Sequence, residues 1–144
     1  MKYLVLIALL SINIAAAKEY QFTHEQIVAS PINNSGPQIF LFDQSQKLTF
    51  KSERFNSALL SKFKLKVALP DSDTVKENLQ ELLNEPLTFN STGFTLFYVT
   101  ISPDVGPCKP CRDQEALIKK IKSRFKDKLE IHTITIIQSD TYKD

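Results

Sequence analysis

The chain has two cysteines, and they stand three residues apart in the succession Gly106, Pro107, Cys108, Lys109, Pro110, Cys111. A CxxC pair can close and open a disulfide, supply half of a metal site, or simply staple a turn. A staple across so short a loop removes little chain entropy. A zinc site normally takes four ligands, and only His24 and His132 are present to complete one. What surrounds the pair narrows the choice. Residues 94–101 (FTLFYVTI) form an aromatic and β-branched run bounded by Gly93 and Pro103, the pattern of a buried central strand. From Arg112 to about Lys126, Ala116, Leu117, Ile118, Ile121 and Phe125 fall on one helical face, with Lys119, Lys120, Lys122 and Arg124 on the other. Residues 129–137 (LEIHTITII) then alternate as a strand does. Strand, CxxC, helix and strand in this order make a βαβ unit carrying a redox-type dithiol.

At these residues the chain resembles the thioredoxin-like superfamily, whose active site is a CxxC at the start of the helix that follows a central strand. Pro110, directly before the second cysteine, matches the family's dipeptide. The tryptophan usual before the first cysteine is replaced by Pro107, and the chain contains no tryptophan. The chemistry needs this placement because a thiolate, not a thiol, attacks a disulfide, and free N–H groups at a helix N-terminus stabilise that anion. Cys108 is therefore expected to attack and Cys111, deeper in the helix, to resolve the mixed disulfide. Lys109 is expected to lower the Cys108 pKa slightly. The family also carries a buried acid in the central strand, and 94–101 has none. Asp104 is the nearest carboxylate and the candidate to pass a proton through water. Neither His24 nor His132 is given a role.

The elements that must position this unit begin after an N-terminal segment of different character. Residues 1–17 have one positive charge at Lys2, an apolar run from Tyr3 through Leu10 and small residues at 15–17, which together read as a secretory signal peptide. The apolar stretch is short and interrupted by Ser11 and Asn13, which argues against a membrane span. Removing it leaves residues 18–144 as one domain. Seventeen basic residues then face sixteen acidic ones, and no basic block is large enough to imply nucleic acid. Export with only two close cysteines points to a periplasmic or secreted setting in which the pair is used chemically. Asn33 and Asn90 begin formal glycosylation sequons.

A thioredoxin-like domain ordinarily continues past its third parallel element with a helix, a proline, a β-hairpin and a last helix, whereas this chain ends at Asp144. The same pieces occur at the other end. Thr23 reads as the cap of a short helix 24–29, followed by Gly36 and Pro37, strands 38–43 and 47–51 about a turn at 44–46, and a helix pattern from about 55 to 63. A further helix, 73–85, carries a Thr74/Glu77 capping box and stops at Pro86. The fold class expected is therefore α/β, a thioredoxin-like mixed β-sheet flanked by helices and circularly permuted, with 18–63 as the displaced C-terminal half and 73–144 as the CxxC half. A rival order makes the hairpin a separate lobe beside a truncated redox unit.

By this resemblance Pro37 corresponds to the family's cis-proline, and Gly36 and Pro37 form the substrate-binding backbone facing the CxxC. Three relations follow from the permutation: 39–42 pairs antiparallel with 94–101, Pro37 lies near Cys108, and Lys18 lies near the tail at Asp144. The function expected is an exported thiol–disulfide oxidoreductase without cofactor or metal. Its partners would be cysteine-containing exported proteins and a protein that recycles the pair. The competing class is a thioredoxin-like scaffold of a secretion or envelope assembly whose CxxC is not catalytic.

Overall fold

A computed structural model describes residues 17–140. The expected signal segment lies almost wholly outside that range, as does the tail 141–144. The elements in order are β1 (Glu19–Thr23), α1 (His24–Val28), β2 (Gln38–Phe42), β3 (Leu48–Ser52), α2 (Leu59–Lys62), α3 (Ser72–Leu83), β4 (Phe94–Ile101), α4 (Lys109–Phe125) and β5 (Leu129–Ile137), with a 3-10 turn over Lys126–Lys128 before β5. The strands form one mixed five-stranded sheet in the order β1-β5-β4-β2-β3. β1 and β4 run parallel to β5, whereas β2 is antiparallel to both β4 and β3.

The sheet is covered on both faces because its central strands alternate apolar residues to both sides. Phe40, Phe42 and Phe97 point to one face, where they meet Ile27 of α1 and Val75, Leu79 and Leu82 of α3. Ile39, Leu41, Leu96 and Tyr98 point to the other, against Leu59 of α2 and Ile118 and Ile121 of α4. Burying each such side chain contributes roughly 1.5–3 kcal/mol, so the two clusters fix the sheet between helices of either side. Every residue of β2 is buried. That excludes the hairpin as a separate lobe, since 38–52 is the middle and one edge of the sheet.

Several boundaries differ from the sequence reading. Residues 19–23 are a strand that alternation of Tyr20 and Phe22 with Glu19 and Gln21 would have signalled, and this strand covers the β5 edge. Thr23 both ends β1 and caps α1, exchanging hydrogen bonds with Gln26 in a capping box. The helix pattern at 55–63 shrinks to Leu59–Lys62, because the loop ahead of it is tied elsewhere: the Asn56 carboxamide accepts from Ala58 N–H, and its own N–H donates to Gln114. The Thr74/Glu77 capping box is absent, since α3 already starts at Ser72 and Thr74 lies in its first turn. Asp71 holds the cap position without capping, its carboxylate being taken by Lys51. Asn84, in the left-handed conformation at φ 52°, ends α3 before Pro86 is reached.

The expected closeness of Lys18 to the tail at Asp144 falls on residues outside those described. Thr23, not Lys18, stands beside the end of β5, in register with Ile137. Lys18 lies five residues back, where its N–H donates to His132 Nδ1 and its carbonyl accepts from Thr133. Parallel pairing of β1 with β5 sets this, because the chain must enter at the side where β5 begins.

Candidate functional site: the Cys108–Cys111 disulfide and the loop at Gly36

The site is built at the junction of β4 and α4. β4 delivers the chain to the C-terminal edge of the sheet, and the loop 102–108 turns it back into α4. Cys108 is the N-cap residue of that helix and Cys111 lies in its first turn, three residues earlier than the apolar periodicity alone had placed the start. Pro110 suits this place, for the first turn of a helix needs no N–H from it. The two cysteines are joined as a disulfide with Cα atoms 5.2 Å apart. Cys108 Sγ accepts from Cys111 N–H at 3.2 Å, so the sulfur itself serves as the helix cap. The Cys111 N–H is directed at that sulfur from the start of a 17-residue helix, an end whose dipole favours negative charge. Cys108 is half-buried, whereas Cys111 is 2 % exposed.

Opposite the disulfide stands the loop that leads into β2. The Gly36–Pro37 bond is cis and Pro37 is buried. Cys108 Sγ lies 3.9 Å from the Gly36 carbonyl oxygen. A Cβ on Gly36 would lie 3.4 Å from Cys111 Sγ and 3.0 Å from Ile101 Cγ1. The approach of backbone to sulfur thus leaves space for glycine and little more. β2 carries this loop to the disulfide because it pairs antiparallel with β4, Gln38 opposite Val99 through Phe42 opposite Thr95. Two of the three expected relations therefore hold, those of the strand pairing and of the loop against the CxxC.

Residues that the sequence did not single out hold these parts in place. Gln38, 1 % exposed, donates through its carboxamide to the carbonyls of Asn33 and Ser35, which fixes the loop from within. Gln114, fully buried on α4, accepts from Asn56 N–H at 2.7 Å and ties the 53–58 loop beside the helix. Tyr98 of β4 reaches up beneath the disulfide and donates to the Cys111 carbonyl at 2.7 Å. A polar side chain at a strand or helix position whose neighbours are apolar is the only sequence signal that any of the three gives.

The charged candidates are placed differently from one another. Lys109 extends outward and pairs with Asp113 one turn along α4, so the cation next to Cys108 in sequence is shared with a carboxylate. Asp104 hydrogen-bonds the Ser102 side chain and backbone groups of Val105 and Gln138, and these contacts hold its carboxyl below the usual carboxylate range. A carboxylate so satisfied carries a proton poorly near neutral pH. His132 is far from the loop candidates in register, opposite Phe97 near the start of β5 and fully buried. Its ring nitrogens are engaged by Lys18 N–H and by the Thr88 carbonyl. Among the described residues no group of three or more His, Cys, Asp or Glu side chains is placed to hold a metal ion, and no helix is long and apolar enough to cross a membrane. No family model matches the chain, and neither a curated protein nor a solved structure does.

Proposed function

We propose that the protein is an exported thiol–disulfide oxidoreductase on a circularly permuted thioredoxin-like fold, exchanging disulfides with cysteines of other exported proteins. The observation that carries this reading is the meeting of two chain segments 72 residues apart: the Gly36 carbonyl, at a cis-proline loop, lies 3.9 Å from the sulfur that caps the CxxC helix. The resemblance noted from the sequence implies that juxtaposition. The sheet order supports it too, with the strand before the CxxC lying between a parallel neighbour, β5, and an antiparallel one, β2, that follows the cis-proline. Relative to the family order, β1 takes the edge beside β5 from the N-terminal side of the chain.

In the reductive direction the Cys108 thiolate attacks one sulfur of a client disulfide, forming a Cys108–client bond and releasing the other client sulfur as a thiolate. The Cys111 thiolate then attacks Cys108 Sγ, the Cys108–Cys111 bond forms, and the second client sulfur leaves. Two electrons pass to the client, and its thiolates take protons from water. Client oxidation is the same sequence reversed. The helix N-terminus stabilises the Cys108 thiolate in both directions, and the Gly36 carbonyl borders the sulfur where client backbone would lie. No organic cofactor takes part, and a separate redox protein resets the pair.

The test uses the reduced protein. Cys108 should be alkylated faster than Cys111 near neutral pH, and Cys111→Ala should trap client proteins as mixed disulfides while Cys108→Ala traps none. Equal, thiol-like alkylation rates and no trapped partner in the exported compartment would move the reading to a non-catalytic scaffold.

A further inference from the structure

Resting on the disulfide-exchange reading, we propose that Tyr98 is a positioning residue for the resolving cysteine, holding Cys111 in place while the sulfur of Cys108 is bonded to a client. The Tyr98 hydroxyl donates to the Cys111 carbonyl at 2.7 Å from the strand beneath. The ring is 2 % exposed and packs in the same core as Ile118 and Ile121 of α4, so the hydroxyl has no freedom to move with the helix terminus. The Thr100 side chain hydrogen-bonds the Tyr98 hydroxyl in turn. Both residues line a groove of about 820 Å³ between α4 and the β1–β5–β4 side of the sheet, with Glu115 on its helix wall.

This contact matters because the side-chain cap of the first turn is the reacting atom. In the disulfide state Cys111 N–H donates to Cys108 Sγ at 3.2 Å. When Cys108 forms a mixed disulfide, that sulfur turns toward the client and the cap is weakened at the step in which Cys111 must reach it. Arg112 N–H to the Cys108 carbonyl remains, at 3.2 Å, but it ties the helix only to the moving residue. Tyr98 ties it to the central strand, whatever the bonding state of sulfur. Its burial also pushes the phenol up to about 12, so it stays a proton donor to the carbonyl across the neutral range.

The decisive experiment separates the two chemical steps in wild type and in Tyr98→Phe, which keeps the ring and removes the hydroxyl. Attack by reduced Cys108 on a small aromatic disulfide is followed by stopped flow, and resolution is followed by release of the second thiol from the mixed disulfide. Tyr98→Phe should leave the first rate within about twofold and slow the second by roughly 3–10-fold, the kinetic equivalent of one buried hydrogen bond. Thr100→Val, which removes only the outer partner, should act in the same direction and less. Unchanged resolution in Tyr98→Phe, with or without a lower Tm, overturns the proposal, as does equal slowing of both steps. If wild type exchanges with no disulfide at all, the failure lies in the underlying reading and takes this proposal with it; it is seen before any substitution is made.

Discussion

A Cβ built on Gly36 would come within 3.4 Å of Cys111 Sγ and 3.0 Å of Ile101 Cγ1, so the loop at the cis-proline stands about one methyl group away from the Cys111 sulfur. Gly36 does not have a positive φ, and the restriction there is one of space alone. Gly36→Ala should fold, because the Ile101 side chain can give by a few tenths of an ångström. Overpacking of this kind costs about 1–3 kcal/mol, and Ile101→Ala in the same chain, which removes the Cγ1 and Cδ1 carbons that the new methyl would meet, should recover part of it. Chemical denaturation of the single and double variants checks this. Equal losses that simply add would show that Ile101 is not the obstacle.

Gly93 is the harsher case. Its Cβ would lie 2.1 Å from the Lys128 carbonyl oxygen and 2.7 Å from the carbonyl carbon, and backbone cannot rotate aside as a side chain can. The contact joins the entry of β4 to the turn before β5, so separating them disturbs the parallel pair on which the sheet is built. Gly93→Ala should lower stability by about 3 kcal/mol or more, exceeding Gly36→Ala. A thermal midpoint within a degree or two of wild type would contradict the packing described for this end of the sheet.

His132 gives the fold a pH dependence whose sign can be worked out. Burial, the largest cause, holds its pKa below the ordinary 6.5, and the nearby Lys18 cation adds to this, although the Thr88 carbonyl and Glu85 oppose it. The neutral ring accepts from Lys18 N–H at Nδ1 and donates to Thr88 from Nε2. The folded state therefore binds fewer protons than the unfolded one, and its stability should fall as pH drops below about 6.5, until the lowered folded value is passed. Glu130 works the other way: burial raises its pKa above 4.5 despite Lys122 and Lys18, so acidification toward that range relieves it. Its Oε1 lies 3.1 Å from His132 Nε2 but makes no hydrogen bond. Glu85, held low by Tyr20 and Lys18, loses stabilising contacts only near and below pH 4.5. Between pH 7 and 5.5 the His132 effect should dominate. His132→Phe should flatten the stability profile there while lowering its plateau by about 1–3 kcal/mol for the lost buried bonds. An unchanged slope would assign the titration elsewhere.

The CxxC unit was legible because each of its parts has a local signal. The run 94–101 and the alternation of 129–137 give strands with the very limits that the structure shows, and the cysteines fall at the start of the helix between them. Cis-proline placement was legible only through resemblance, since neither Gly36 nor Pro37 announces it. The edge strand β1 was overlooked because five residues next to a strong helix cap read as the lead-in to that cap. Helix starts went wrong where tertiary contacts overrule local preference: Lys51 takes the carboxylate of Asp71, and Gln114 takes the backbone of Asn56. The contacts made by Gln38, Gln114 and Tyr98 join segments that local pattern cannot relate, and these are the ones that shape the site.

The pairing of β1 makes a prediction about two adjacent residues. Lys18 accepts from Thr133 N–H, and the register sets Glu19 beside Thr133, Tyr20 beside Ile134 and Phe22 beside Ile136. In a parallel pair, alternate residues of an edge strand turn both backbone groups toward the neighbour. Those of Tyr20 and Phe22 therefore face β5, and those of Glu19, Gln21 and Thr23 face outward. The Thr23 N–H accordingly donates to the Gln26 side chain and not to β5. Gln21→Pro removes an outward N–H and should cost no more than about 1 kcal/mol, whereas Phe22→Pro removes a ladder bond and a partly buried ring and should cost about 3 kcal/mol or more. Phe22→Ala separates the ring from the ladder bond. With β1 loosened, the open edge of β5 should make Phe22→Pro associate at high concentration, which sedimentation velocity would detect. Equal tolerance of proline at both positions would mean that β1 is not held to β5 by this ladder, and that the edge is covered by side chains alone.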